Sequence, residues 1–177
     1  GLFVYGPPVD RLILQLKFAH EPAPARVMGT LLARACQLHQ WELPECIVPM
    51  PLHPLRLRER GFNQCAEIAR HLAPRVKVPV APRLLIRLRH TQAQSELTAA
   101  QRRVNVLGAF GVQVRQPLPQ HVALLDDVMT TGSTLAAAAQ ALKATGVQRV
   151  DAWVAARAIR GDSSVNPGGQ DPGSGAA

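Results

Sequence analysis

Residues 122–134 read VALLDDVMTTGST, and this stretch decides the fold. Val122, Ala123, Leu124 and Leu125 form an unbroken apolar run, as expected of a strand buried on both faces in the middle of a parallel sheet. Asp126 and Asp127 follow at its end. Thr130, Thr131, Gly132, Ser133 and Thr134 then make a small, hydroxyl-rich turn. A helix from Thr134 is predicted next, with Leu135, Ala138, Ala139 and Leu142 on one face and Gly146 as its stop.

Working outward, the same alternation recurs. Val9, Leu12, Ile13 and Leu16 have helical spacing over residues 9–18, with Pro22 and Pro24 interrupting the pattern. Met28, Leu31, Leu32 and Ala35 mark a second helix, ended by Pro44. Residues 45–51 read as a short buried strand running into a proline-stiffened loop that carries Arg56, Arg58 and Arg60 and closes on Gly61 and Phe62. Asn63 is a cap for a third helix that turns Cys65, Ile68, Ala69 and Leu72 inward. Leu84, Leu85 and Ile86 form an apolar stretch, further strand signals lie at residues 108–114 and 149–156, and Thr98–Gln101 has the form of a capping box. Beyond Arg160 the chain turns to Gly, Ser, Pro and Asn, a disordered tail over 161–177. The expectation is one α/β domain over residues 1–160: a mostly parallel twisted sheet flanked by helices, with a small hood segment at about 87–107. In such sheets ligands bind beyond the carboxyl ends of the strands. Asp126 and the turn after it stand at that place.

The residue types there select a chemistry. Backbone N–H groups at a helix start, helped by the helix dipole, suit a phosphate dianion, and threonine and serine hydroxyls add donors. Two carboxylates would repel a phosphate, but they suit donating ribose hydroxyls or a hydrated Mg²⁺. Phosphate at one end and a diol at the other outline a ribose 5-phosphate. A plain strand-to-helix turn is the simpler reading of two acids alone; the Thr-Thr-Gly-Ser-Thr that follows favours the site. No Gly-Lys-Ser/Thr follows, so the turn is not a Walker loop.

Composition sets the bounds. The chain has 177 residues, 47% hydrophobic and 18% charged, enough for one domain with a sizeable core and too apolar for a mostly disordered chain. No apolar run approaches the roughly 18 residues needed to span a bilayer, and GLFVYGPPVDR at the start lacks the pattern of a signal peptide. Net charge is +8, carried by 17 arginines and 3 lysines. Arginine grips phosphates and carboxylates bidentately, so an anionic partner fits. Cys36, Cys46 and Cys65 stand far apart, which argues against a disulfide framework and fits a reducing cytoplasm. The six histidines have no metal-ligand spacing, and Trp41 and Trp153 read as packing anchors.

VALLDDVMTTGST resembles the phosphoribosyl pyrophosphate (PRPP) binding motif of type I phosphoribosyltransferases. LKF at 16–18, VPMPLHPLRLRERGFNQ at 48–64, RLRHTQAQSEL at 87–97 and RRVNVLGAF at 102–110 narrow the resemblance to the ComF-type proteins, phosphoribosyltransferase-like proteins named for DNA uptake in competence. A related branch is named for gluconate utilisation. The resemblance implies that Asp126 and Asp127 contact the ribose hydroxyls and an associated Mg²⁺, and that Thr130, Thr131, Gly132, Ser133 and Thr134 contact the 5-phosphate. It makes Arg56, Arg58, Arg60 and Gly61 candidates for pyrophosphate. Arg89, Thr91, Gln94 and Arg102 match the flexible-loop pattern, in a second basic region that also holds Arg87, His90 and Arg103. ComF-type proteins usually begin with a four-cysteine zinc segment that is not found in this sequence. Either the chain starts late or it belongs to a branch without that module, and no zinc site is expected in these residues.

Two functions follow as expectations. The first is an enzyme that binds Mg²⁺ and PRPP and passes phosphoribose to an unknown acceptor. The second is a single-stranded DNA or partner-binding module of a DNA-uptake system, with the PRPP site kept as a ligand sensor. The charge favours DNA contact, whereas the 4% aromatic content disfavours a stacking mode. A plain scaffold is the weakest reading, because the phosphate loop is intact.

Overall fold

The computed structural model describes residues 1–18, 23–89, 108–114 and 117–158. In chain order the elements are β1 (Phe3–Val4), α1 (Val9–Phe18), α2 (Ala23–Leu38), β2 (Cys46–Pro49), α3 (Pro54–Arg60), α4 (Gln64–Val76), β3 (Leu85–Arg87), β4 (Phe110–Val112), β5 (His121–Met129), α5 (Ser133–Lys143) and β6 (Arg149–Arg157). The main sheet runs β1-β6-β5-β2, every pairing parallel. Val80 extends its β2 edge by one parallel bridge to Ile47. β3 and β4 form a separate antiparallel ribbon, with Arg87 opposite Phe110.

β5 is central because its sequence leaves it nowhere else to go. Val122, Ala123, Leu124 and Leu125 are at most 1% exposed. Alternation along the strand sends Ala123 and Leu125 toward α1, α2 and α4. It sends Val122 and Leu124 toward α5 and the β3–β4 ribbon. The molecule is thus three layers with two apolar cores, one on each face of the sheet. On the first face α2 and α4 approach closely at Gly29, where an added Cβ would lie 2.7 Å from the Ile68 carbonyl oxygen. Trp153 belongs to this core, while Trp41 lies against it at 6.0 Å between ring centroids and stays 40% exposed. Among the described residues no helix is long and apolar enough to cross a membrane.

Several boundaries differ from the sequence reading. Pro24 does not interrupt anything: it sits in the first turn of α2, where a missing N–H costs no intrahelical bond. α2 stops at Leu38, well before Pro44, and Gln40 turns the chain at φ 48°. α5 begins one residue early, at Ser133, and ends at Lys143, with Gly146 in the turn beyond it at φ 108°. The arginine-bearing loop is the helix α3, with His53 Nδ1 accepting from the Leu55 N–H at its start and Gly61 closing it at φ 79°. Residues 98–101 and 161–177, read as a capping box and a tail, lie outside the described residues, as does most of the hood.

Candidate functional site

The carboxyl ends of β2 and β5 lie side by side, tied by the Met50 N–H donating to the Leu125 carbonyl at 2.9 Å. Asn63 pins the start of α4 to the same place. Its side-chain amide donates to the Met50 carbonyl at 3.0 Å, and its Oδ1 accepts from the N–H groups of Cys65 (2.9 Å) and Ala66 (3.4 Å). This cap sets Cys65 against the end of β5.

Asp126 and Asp127 are neighbours with different surroundings, because successive strand residues point to opposite faces. Asp127 is buried, with Oδ1 accepting from the Val128 N–H at 2.8 Å and Oδ2 lying 3.0 Å from Lys17 Nζ. Asp126 is half-buried, and its Oδ1 accepts from the Asp127 N–H at 3.0 Å and from Cys65 Sγ at 3.5 Å. Burial, then the charge of Asp127, push the Asp126 carboxyl up to about 7. The Cys65 thiol is pushed well above its ordinary range by burial and by both carboxylates, so it donates as a neutral thiol.

Cys65 Sγ and one oxygen from each acid lie within 4.8 Å of one another. Of these donors, the two carboxylates suit a hard divalent cation such as Mg²⁺ and the neutral thiol does not. Asp126 is the better placed of the two acids. Its carboxyl is disfavoured as an anion by burial and a like charge, a deficit that an added cation corrects.

Past Met129 the chain turns through Gly132, at φ 75° and ψ 1°, into α5. That left-handed conformation favours glycine. Gly132, at the cap position, brings no side chain, and the Ser133 N–H at the start of α5 donates to Thr131 Oγ1 at 3.4 Å. Thr131 and Ser133 share a hydroxyl–hydroxyl bond of 3.0 Å beside it. Thr130 and Thr131 are exposed, and Gly132, Ser133 and Thr134 are half-buried. Exposed hydroxyls beside a helix start whose cap position is a glycine are a setting for an anion.

The three arginines of α3 do not act together. In a helix Arg56 and Arg60 lie about 40° apart around the axis, and Arg58 falls about 160° to 200° from each. Arg58 is accordingly exposed, while Arg56 and Arg60 are half-buried. Arg60 Nη1 donates to Gln64 Oε1 at 2.8 Å, binding α3 to α4 across Gly61. Arg87, a residue of the second basic region absent from the four named in the flexible-loop pattern, feels the charges of both Arg56 and Asp126. Burial, then the Arg56 charge, hold the Arg87 guanidinium below its ordinary value, while Asp126 acts in the opposite sense. Arg87 also lies 5.4 Å above the centroid of the Phe110 ring. Arg89 is exposed at the end of the ribbon. Thr91, Gln94 and Arg102 lie outside the described residues.

Lys17 and Cys65 thus join the site although sequence reasoning gave neither a role there, and Arg87 joins it from the second basic region, which the sequence left open to closing over pyrophosphate or binding nucleic-acid backbone. The only prior signals were LKF at 16–18, the position of Cys65 two residues after a cap, and the run of arginines at 87–103.

Residues 63–165 match the phosphoribosyl transferase domain family, and the chain belongs to it. Across a wider span it is 36% identical over 160 residues to competence protein F of Haemophilus influenzae, covering 87% of this chain and 70% of that protein. It is 34% identical over 160 residues to DNA utilization protein YhgH of Escherichia coli K12, covering 88% and 70%. The resemblance to ComF-type proteins therefore holds over most of the chain. Among solved structures, the glutamine PRPP amidotransferase of B. subtilis aligns with a TM-score of 0.46 and 16% identity, over 74% of this chain and 26% of that one. A hypoxanthine phosphoribosyltransferase of Staphylococcus aureus aligns with a TM-score of 0.46 and 10% identity, over 78% and 75%.

Proposed function

We propose that this domain binds PRPP with Mg²⁺ in the cytoplasm and transfers its phosphoribosyl group to an acceptor not yet identified. The observation that carries the reading is the juxtaposition at the end of β5: a half-buried acid, Asp126, ahead of a glycine turn that leads a run of hydroxyl-bearing residues into the start of α5. Thr130 to Thr134 and the α5 amides would take the 5-phosphate, and Asp126 the ribose hydroxyls. Asp126 would hold Mg²⁺, which when bound neutralises phosphate charge. Arg56 and Arg87 would meet the pyrophosphate, a role that replaces the expected alignment of Arg56, Arg58 and Arg60. In the transfer the acceptor forms a bond to C1 of the ribose as the bond from C1 to the pyrophosphate oxygen breaks. The electron pair leaves with pyrophosphate, where the guanidinium charges stabilise it. No side chain here is assigned as a general base.

The test is pyrophosphate release from PRPP and Mg²⁺ in the presence of a panel of bases and amines. Release that requires one acceptor and disappears in Asp126→Asn supports transfer. Binding of PRPP without release by any acceptor overturns transfer and favours a ligand sensor.

A second reading has its own support in the net charge of +8 and in the competence and DNA-utilization names of the relatives. Under it the basic ribbon contacts single-stranded DNA or a partner of the uptake machinery. Affinity for DNA should then fall steeply with salt, and less steeply once Arg87 and Arg89 are replaced. Absent or salt-independent binding removes this reading.

A further inference from the structure

Lys17 belongs to neither the phosphate turn nor the arginine segments, yet it touches the acid pair. It stands in the last turn of α1, where a cation is favoured by the helix dipole alone. Its Nζ lies 3.0 Å from Asp127 Oδ2, with the two side chains 26% and 6% exposed. The other oxygen of Asp127 is taken by the Val128 N–H at 2.8 Å. Oδ2 is buried and has no hydrogen-bond partner besides this ion pair. Lys17 is therefore what satisfies the second oxygen of a buried carboxylate, and a carboxylate in that position cannot be left alone.

Strand alternation explains why this matters for the site. Asp127 points to the face of the sheet covered by α1, α2 and α4, and Asp126 to the face shared with Cys65 and the ribbon. The Asp127 N–H donates to Asp126 Oδ1, so a movement of Asp127 moves the group that orients Asp126. We propose that Lys17 is a positioning residue of the phosphoribose site: it anchors Asp127 away from the ligand and thereby fixes Asp126 as the acid that meets the sugar. This inference rests on the phosphoribose reading above. It divides the labour of two adjacent acids that sequence alone treats as equivalent.

The experiment compares calorimetric affinities for ribose 5-phosphate and for inorganic pyrophosphate, both without a divalent cation so that only contacts to the chain are read, in the full chain. Lys17→Met should weaken ribose 5-phosphate about tenfold or more and change pyrophosphate by less than about twofold, since only the former presents the hydroxyls. Lys17→Arg should keep ribose 5-phosphate within about threefold of the original. The double variant Lys17→Met with Asp127→Asn should regain most of the affinity, because an amide needs no counter-ion. Equal weakening of both ligands, or none, in Lys17→Met overturns the positioning role. If Lys17→Met does not fold, the double variant decides: affinity within about threefold of the original supports the proposal, and a tenfold loss overturns it. Binding of neither ligand by the unaltered chain overturns the phosphoribose reading and this inference with it. Normal binding there, with an indifferent Lys17→Met, overturns this inference alone.

Discussion

The two ends of the sheet treat their acids in opposite ways. At the amino ends of β5 and β6, Asp151 accepts from Arg149 through Nε and Nη2, each at 3.2 Å, and meets His121 Nε2 at 2.9 Å. Arg149 also contacts Glu42, and Glu45 Oε1 accepts from the N–H groups of Gln120 and His121 at 2.9 and 3.1 Å. At the carboxyl ends, Asp126 is met by a thiol and by its neighbour's amide, with a second carboxylate alongside. Burial raises both Asp126 and Asp151. At Asp151 the Arg149 and His121 bonds outweigh it and leave the carboxyl below its ordinary value, whereas at Asp126 the like charge adds to it. One end uses its acids to hold the sheet together. The other keeps an acid short of positive charge, which is affordable only where a ligand supplies it.

The contrast can be broken from either end. The largest effect expected is on the ligand side: replacing both Arg56 and Arg87 by Met should weaken pyrophosphate at least about a hundredfold, since charge-assisted hydrogen bonds contribute roughly 1.5–3 kcal/mol each. Titration calorimetry with Mg²⁺ and pyrophosphate reads this directly, and an unchanged affinity would remove Arg87 from the site. At the other end, Asp151→Asn should cost about 1–3 kcal/mol in denaturant unfolding, by loosening a hydrogen-bonded carboxylate, and leave PRPP affinity unchanged. Gly132→Ala should cost roughly 1–2 kcal/mol, because φ 75° is strained for any residue with a Cβ. Its melting curve should show that loss even without ligand.

The pH dependence is the most diagnostic effect, because the ends should titrate with opposite sign. Asp126 has a folded pKa of about 7 against an ordinary 3.8. Its contribution to stability is fully present below the unfolded value and is lost as pH rises through about 7. Asp151 is shifted down, so its contribution is present above 3.8 and is lost as pH falls through its folded value. Unfolding free energies of Asp126→Asn and Asp151→Asn, each subtracted from the unaltered chain between pH 3 and 8, should therefore diverge in opposite directions. Parallel curves would mean that the two ends are not electrostatically distinct.

Much of this was legible in the sequence because it rests on local pattern. The apolar run 122–125, the acids and the glycine turn were all readable from residue types in a single stretch, and so were the cap at Asn63 and the buried face of α4. α3 was not, since it buries no residue: Leu55 and Leu57 are 47% and 42% exposed, so no apolar periodicity marks it as a helix. Reading it as a loop hid the fact that helical rotation separates Arg58 from Arg56 and Arg60. β1 escaped notice because two residues, Phe3 and Val4, carry no period. Lys17 with Asp127 is a contact between elements distant in the chain, and the Arg56 charge acts on Arg87 across a similar separation, and only the packed fold brings these groups together.

The central claim is that Asp126 and the turn after it form a site for a phosphorylated ribose. Thermal unfolding of the full chain and of Asp126→Asn, with and without Mg²⁺ and PRPP, tests it most directly. At a hundredfold excess over Kd, the unaltered chain should gain roughly 2.7 kcal/mol and melt at a visibly higher temperature, while Asp126→Asn should gain almost nothing. No gain in the unaltered chain, or an equal gain in both, would contradict the claim.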